Sequence, residues 1–151
     1  GAFTEVNISD LVNKVKDAGI NVIGNYIFGL PEDTVDTMQE TLDMSIDLNC
    51  EFANFYSTMA YPGSKLYLDA RREGWELPES YVGYSQHSYE SKPLPTKHVS
   101  SAEVLGFRDN AFNEYYKNDK YLSSIEEKFG KETKKSIENM TKHTLKREIL
   151  E

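Results

Sequence analysis

The feature that most limits how this chain can fold lies within its first sixty residues. Asn21 to Phe28 (NVIGNYIF) and Phe52 to Ala60 (FANFYSTMA) are apolar runs rich in strand-forming residues. The segment between them has a helical period. Thr34 is placed to cap that helix, and Val35, Met38, Leu42 and Ile46 keep one face apolar. Asp36, Glu40, Asp43 and Asp47 occupy much of the remainder, as a solvent-facing surface. Two strands joined through a helix make a parallel pair with a right-handed crossover. Such a pair is a poor sheet by itself, because parallel sheets hold several strands and are covered on both faces. The first strand lacks clean alternation, so burial on both faces is expected. A helix capped by Ser9, carrying Leu11, Val12, Val15 and Ala18 and stopped by Gly19, precedes it and calls for an earlier strand to pack on. The expectation is an α/β fold that forms the C-terminal part of a larger domain. The alternative is two strands that complete another subunit's sheet.

The rest of the chain divides at its helix signals. Ser64 starts a short helix with Leu66, Tyr67, Leu68 and Ala70, closed by Gly74. Trp75 to His98 has no clear period and holds Pro78, Pro93 and Pro95 with Tyr81, Tyr84 and Tyr89 between them. A connection of that length is either a packed surface loop or a lid. Ser100 and Glu103 form a capping-box pattern for a helix to about Lys117, carrying Val104, Leu105, Phe107, Ala111, Phe112 and Tyr115. Tyr121 to Phe129 reads as another helix, ended by Gly130. Lys131 to Leu150 reads as a last helix with Ile137, Met140, Thr144, Leu145 and Ile149 on one stripe and a fraying end. The tyrosines, Tyr115, Tyr116 and Tyr121 among them, read as cover for an apolar face. The segments are 1–75, 76–99 and 100–151.

Composition excludes several functions. A net charge of -8 gives no basic footprint for nucleic acid and no attraction to an anionic membrane. No apolar run approaches the roughly 18 residues of a membrane span, and no signal peptide is expected at the start. Cys50 is the sole cysteine, so an internal disulfide and a thiolate metal cluster are out of reach and a reducing cytoplasm is the expected location. Cys50 itself reads as a small core residue. His87, His98 and His143 show no metal-ligand spacing, and no nucleophile elbow is present.

Ligands in parallel α/β architectures sit beyond the carboxyl ends of the strands. Two turns occupy such ends here, GLPEDT (Gly29 to Thr34) and MAYPGS (Met59 to Ser64). Gly29 permits a sharp turn or a close backbone approach, and Pro31 suits a position near a helix start. Glu32 and Asp33 complement the positive end of the helix. Those acids also occupy the place a phosphate would take, and GNYIFG lacks the dinucleotide glycine spacing. A phosphate cradle is therefore rejected. The plain alternative is that both turns only connect elements.

Gly19 to Trp75 resembles the second half of a radical S-adenosylmethionine domain, of the branch often fused to cobalamin-binding domains. The resemblance rests on the GLPEDT and AYPGS turns, in that order and at that distance, and more weakly on FRDNAFNEYYKNDKYL. It implies a partial (β/α) barrel with parallel strands, followed by a mainly helical C-terminal extension. It further implies an adenine-supporting strand, on which Asn25, Ile27, Gly29 and Glu32 fall at the family's spacing, with Asn25 where the family has glycine. Ile27 would lie against the adenine, Gly29 would let the backbone approach, and Glu32 would support the helix start. Met59 and Tyr61 would approach the cofactor or substrate from the next strand.

The family's cysteine triplet for a 4Fe-4S cluster does not occur in these 151 residues, and such a cluster needs its thiolates. The resemblance thus implies a fragment, inactive alone, of an enzyme that uses S-adenosylmethionine, a 4Fe-4S cluster and, in that branch, cobalamin. None of these is expected to be held stably by this chain. The expected partners are the N-terminal half of the domain, a substrate, and other copies joined through an exposed sheet edge. The alternative function is a non-catalytic α/β binding or assembly module.

Overall fold

The computed structural model describes residues 7–151. Helix α1 (Ile8–Asp17) leads into strand β1 (Ile23–Phe28), helix α2 (Val35–Leu48) and strand β2 (Phe52–Ser57). Helix α3 (Lys65–Glu73) follows, then a long loop containing a 3-10 turn at Tyr81–Tyr84. Helices α4 (Ser101–Tyr116), α5 (Asp119–Phe129) and α6 (Lys131–Met140) complete the regular structure before a 3-10 turn at Glu148–Leu150. The strands are parallel, with α2 as their crossover, and pair from Ile23↔Phe52 to Phe28↔Ser57. An α/β fold is thus shown, with a two-stranded sheet among the described residues.

Alternation along the strands sorts the sheet into two unlike faces. Tyr26, Phe28, Ala53 and Phe55 form the covered face and pack against Met38 and Leu42 of α2 and Val104, Ala111 and Tyr115 of α4. Phe28 and Phe55 stack with parallel rings 5.9 Å apart, and Tyr115 meets Phe55 edge-on at 5.5 Å. The opposite face carries Ile23, Asn25 and Ile27 beside Phe52, Asn54 and Tyr56. It has no cover among the described residues; Ile23 is 59% exposed and Ile27 50%. Burial on both faces, expected from the apolar pattern of β1, is therefore met on one face only.

The edges of the sheet also differ. Side chains close the outer edge of β2 where a further strand would pair. The Tyr115 hydroxyl donates to the Cys50 carbonyl at 2.5 Å, and Tyr121 donates to the Glu51 carbonyl at 3.1 Å. The Tyr116 hydroxyl accepts from the Ala53 amide at 3.0 Å and donates to its carbonyl at 2.7 Å. Arg108 Nε donates to the Phe55 carbonyl at 2.8 Å. The Gln86 amide bonds both backbone groups of Ser57, each at 2.9 Å. An edge strand must satisfy or cover its backbone groups, and this one does so with borrowed side chains. The tyrosines read as aromatic cover are therefore also edge caps. The outer edge of β1 has no neighbouring strand among the described residues.

Several boundaries differ from the sequence reading. Asn7, not Ser9, caps α1, its side chain accepting from the Asp10 amide at 3.1 Å. Helix α5 starts two residues early because Asn118 Oδ1 accepts from the amides of Lys120 and Tyr121. The largest correction is the C-terminus. The last helix stops at Met140, and residues 141–151 fold back instead of continuing a helical stripe. Arg147 causes this: its side chain is 1% exposed and grips Asp109 with two nitrogens, at 2.8 and 2.9 Å. Segment 76–99 is a packed loop. Ser91, Pro93 and Leu94 are buried, and the Leu94 amide donates to the Thr58 carbonyl at 3.0 Å.

Candidate functional site

A cavity of about 260 Å³ opens beyond the carboxyl ends of both strands. Ile27 and Leu30 line it from β1 and its turn, and Tyr56, Met59 and Tyr61 from β2 and its extension. Gln86 enters from the long loop, beside Ser57 and Thr58. The lining is apolar and aromatic on one side and amide and hydroxyl on the other, with no carboxylate, lysine or histidine. A lining of this composition suits a flat, uncharged ring system more than a charged group. Its ionisable groups are the hydroxyls of Tyr56 and Tyr61.

Local sequence explains the shape. β1 ends at Phe28, whose carbonyl accepts from the Thr58 amide at 2.8 Å and its hydroxyl at 3.0 Å, locking the two strand ends together. The chain then turns at Gly29 with φ +81, a left-handed conformation suited to glycine. A methyl group there would also lie 2.5 Å from Val104 Cγ1. The close approach at Gly29 is thus made by α4. Asp33 fixes the rest of the turn, its carboxylate accepting from the amides of Gly29 at 3.0 Å and Leu30 at 2.8 Å and from the Thr37 hydroxyl at 3.0 Å. The amides a phosphate would need are engaged by the protein's own acid, which is the physical content of rejecting a phosphate cradle.

Of the six residues singled out in the sequence, the structure brings Ile27, Met59 and Tyr61 to the cavity wall. Asn25 lies one pleat back on the open face, where Asn54 Nδ2 donates to its Oδ1 at 3.0 Å. Gly29 serves the turn. Glu32 points to solvent and pairs with Lys97. Sequence reasoning missed Gln86. No local signal marks it, since its partner Ser57 lies 29 residues away and its loop has no period.

Electrostatics around the site come from the groups behind it. Burial works against ionising Asp109, but Arg147 and Arg108 bond its carboxyl and hold it below the usual carboxylate range. Burial, reinforced by the same two arginines, pushes His87 below its ordinary value. Burial raises the Cys50 thiol, which the charge of Lys16 only partly offsets, so Cys50 is the inert core residue that its surroundings suggest.

No protein-family model matches the chain, and no solved structure matches it. An uncharacterized methyltransferase of Pyrococcus horikoshii is 25% identical over 113 residues, which are 75% of this chain and 24% of the relative. The chain thus spans about a quarter of the length of the curated relative it matches. No helix among the described residues is long and apolar enough to cross a membrane.

These findings correct part of the sequence reading. The relative is named a methyltransferase, which points toward S-adenosylmethionine and not toward an iron–sulfur or radical enzyme. Among the described residues no group of three or more His, Cys, Asp or Glu side chains is placed to hold a metal ion. The radical, 4Fe-4S and cobalamin elements of the expectation are withdrawn on those two grounds.

Proposed function

We propose that this chain is the C-terminal part of a larger S-adenosylmethionine-dependent enzyme, supplying the adenine side of its cofactor pocket and a C-terminal helical cap. The observation that carries this is the cavity at the two strand ends, walled by Ile27, Met59 and Tyr61. Its flat apolar lining suits a nucleobase, and its position is where parallel α/β folds place ligands. The relative's name supports the same cofactor, since methyl transfer commonly draws on S-adenosylmethionine. On this reading the two strands end a partial parallel barrel whose other strands join at β1.

The test is a titration of the 151-residue chain with S-adenosylhomocysteine, followed by amide resonances. Weak, saturable shifts centred on Ile27, Met59 and Tyr61 are expected. Shifts scattered over the surface, or none, would overturn the reading.

A second reading is an assembly module, favoured by the open face of the sheet, where Ile23, Ile27 and Phe52 are exposed, and by the unpaired edge of β1. Self-association through that edge is the expected behaviour, and sedimentation as a strict monomer up to high concentration would count against it.

A further inference from the structure

We propose that Gln86 is the side chain that orients the occupant of the cavity, and that Arg147 is its positioning residue. This inference rests on the reading of the cavity as a nucleoside site.

Gln86 behaves as a one-residue substitute for a third strand. Its Oε1 accepts from the Ser57 amide and its Nε2 donates to the Ser57 carbonyl, both at 2.9 Å, as a neighbouring backbone would. A primary amide has two N–H donors and two acceptor lone pairs. Pairing with the Ser57 backbone engages one donor and one lone pair, and the Ser57 hydroxyl also donates to Oε1, at 3.4 Å. The other N–H has no partner among the described residues, and Gln86 lines a cavity whose other walls are largely apolar. A lone donor in such surroundings selects an occupant with an acceptor, which the ring nitrogens of a purine supply.

A glutamine side chain is flexible, so a specific donor needs an external hold. Arg147 provides it. Its guanidinium donates to the Gln86 carbonyl at 3.0 Å and the Ser88 carbonyl at 2.8 Å, clamping the backbone on both sides of His87. The same guanidinium grips Asp109 of α4, so the loop is tied to a core helix. The Glu148 amide adds a bond to the Tyr89 carbonyl at 2.9 Å. Residues 141–151 thus act on the cavity without touching it: tail to loop, loop to Gln86, Gln86 to ligand.

The experiment uses the whole chain, with S-adenosylhomocysteine as probe and three proteins: wild type, Gln86→Ala and Arg147→Lys. In wild type the Gln86 side-chain amide should give two separated, slowly exchanging proton resonances that move on titration. In Arg147→Lys those resonances should collapse toward free-amide positions while the backbone spectrum stays dispersed. Affinity should fall about fivefold or more in either variant, the consequence of one lost or loosened hydrogen bond. Gln86→Ala leaves the Arg147–Asp109 pair in place, so it decides the matter if Arg147→Lys does not fold. A structural role alone would lower the melting temperature of either variant without moving affinity, and that result would overturn the inference while the nucleoside reading stands. Absence of binding by wild type would overturn both.

Discussion

Three tyrosine-to-phenylalanine replacements keep their rings and remove two, one and no hydrogen bonds, which isolates how the sheet edge is held. Tyr116→Phe removes the hydroxyl that serves both backbone groups of Ala53, at 2.7 and 3.0 Å. Ala53 is buried, and no other side chain among the described residues bonds these groups. Each buried group left unpaired costs about 1–3 kcal/mol, so the expected loss is about 3 kcal/mol. Tyr121→Phe removes a single 3.1 Å bond to the half-buried Glu51 carbonyl, and about 1 kcal/mol is expected. The buried Tyr26 hydroxyl has no hydrogen-bond partner among the described residues. Tyr26→Phe should therefore leave stability unchanged or raise it by up to about 1 kcal/mol, since it removes a desolvated, unpaired polar group. Urea unfolding with a constant m-value reads all three. For a chain of this size each 1 kcal/mol is about 2–4 °C in melting temperature, so Tyr116→Phe should melt roughly 6–12 °C lower. A loss below about 1 kcal/mol for Tyr116→Phe, or an equal loss for Tyr26→Phe, would refute the edge-capping account.

Alkaline pH should unfold the protein steeply. Burial pushes the Tyr116 hydroxyl up to about 12 and raises those of Tyr26, Tyr115 and Tyr121 as well. A raised folded value means full stability below the unfolded tyrosine value of about 10 and progressive loss above it. The unfolded chain binds fewer protons there, at about 1.4 kcal/mol per pH unit for each of the four tyrosines. Urea midpoints that stay flat from pH 10 to 12 would contradict this. Gly29→Ala should cost about 2–4 kcal/mol, from the left-handed backbone and the contact with Val104. Adding Val104→Ala should relieve the contact but not the backbone part, so a double-mutant cycle of zero would show that the clash is absent.

What the sequence made legible was local, and what it hid was distant. Thr34, Ser64 and Ser100 cap the helices they precede, and Gly74 closes α3 in the left-handed conformation, because each effect acts within a few residues. The parallel pair followed from two apolar runs and one crossover. Ser9 lost to Asn7 by two residues, where both types cap well and only geometry decides. The end of the last helix was misread because its apolar spacing continues past Met140, while Arg147 pairs with Asp109, 38 residues earlier. Ile27, Met59 and Tyr61, named from the family resemblance, lie together at the cavity because each sits at or just past a strand end. Gln86 was not named, because a glutamine in an aperiodic loop carries no mark of the strand it will complete. The tyrosines of α4 and α5 were read for their rings, while their hydroxyls do as much to finish the fold.

The unequal edges of the sheet give it a direction of growth. A strand added beside β2 would displace seven hydrogen bonds made by five side chains, Tyr115, Tyr121, Tyr116, Arg108 and Gln86. At a net of about 1 kcal/mol per bond, that loss offsets what a short parallel pairing returns. A strand added beside β1 displaces none of them. Among the described residues the edge of β2 is therefore closed by side chains, and the edge of β1 is the one at which the proposed further strands would join. The candidate cavity sits across this boundary, with Gln86 on the closed edge and Ile27 and Tyr56 on the open face. One wall is held by helices and by the Arg147 clamp; the other, on the proposed reading, would be completed by the rest of the sheet. A half-walled site binds weakly for a physical reason, since the ligand keeps part of its surface in water and gains only part of its contacts. Covering the open face should thus raise affinity at the cavity without changing any residue that lines it now.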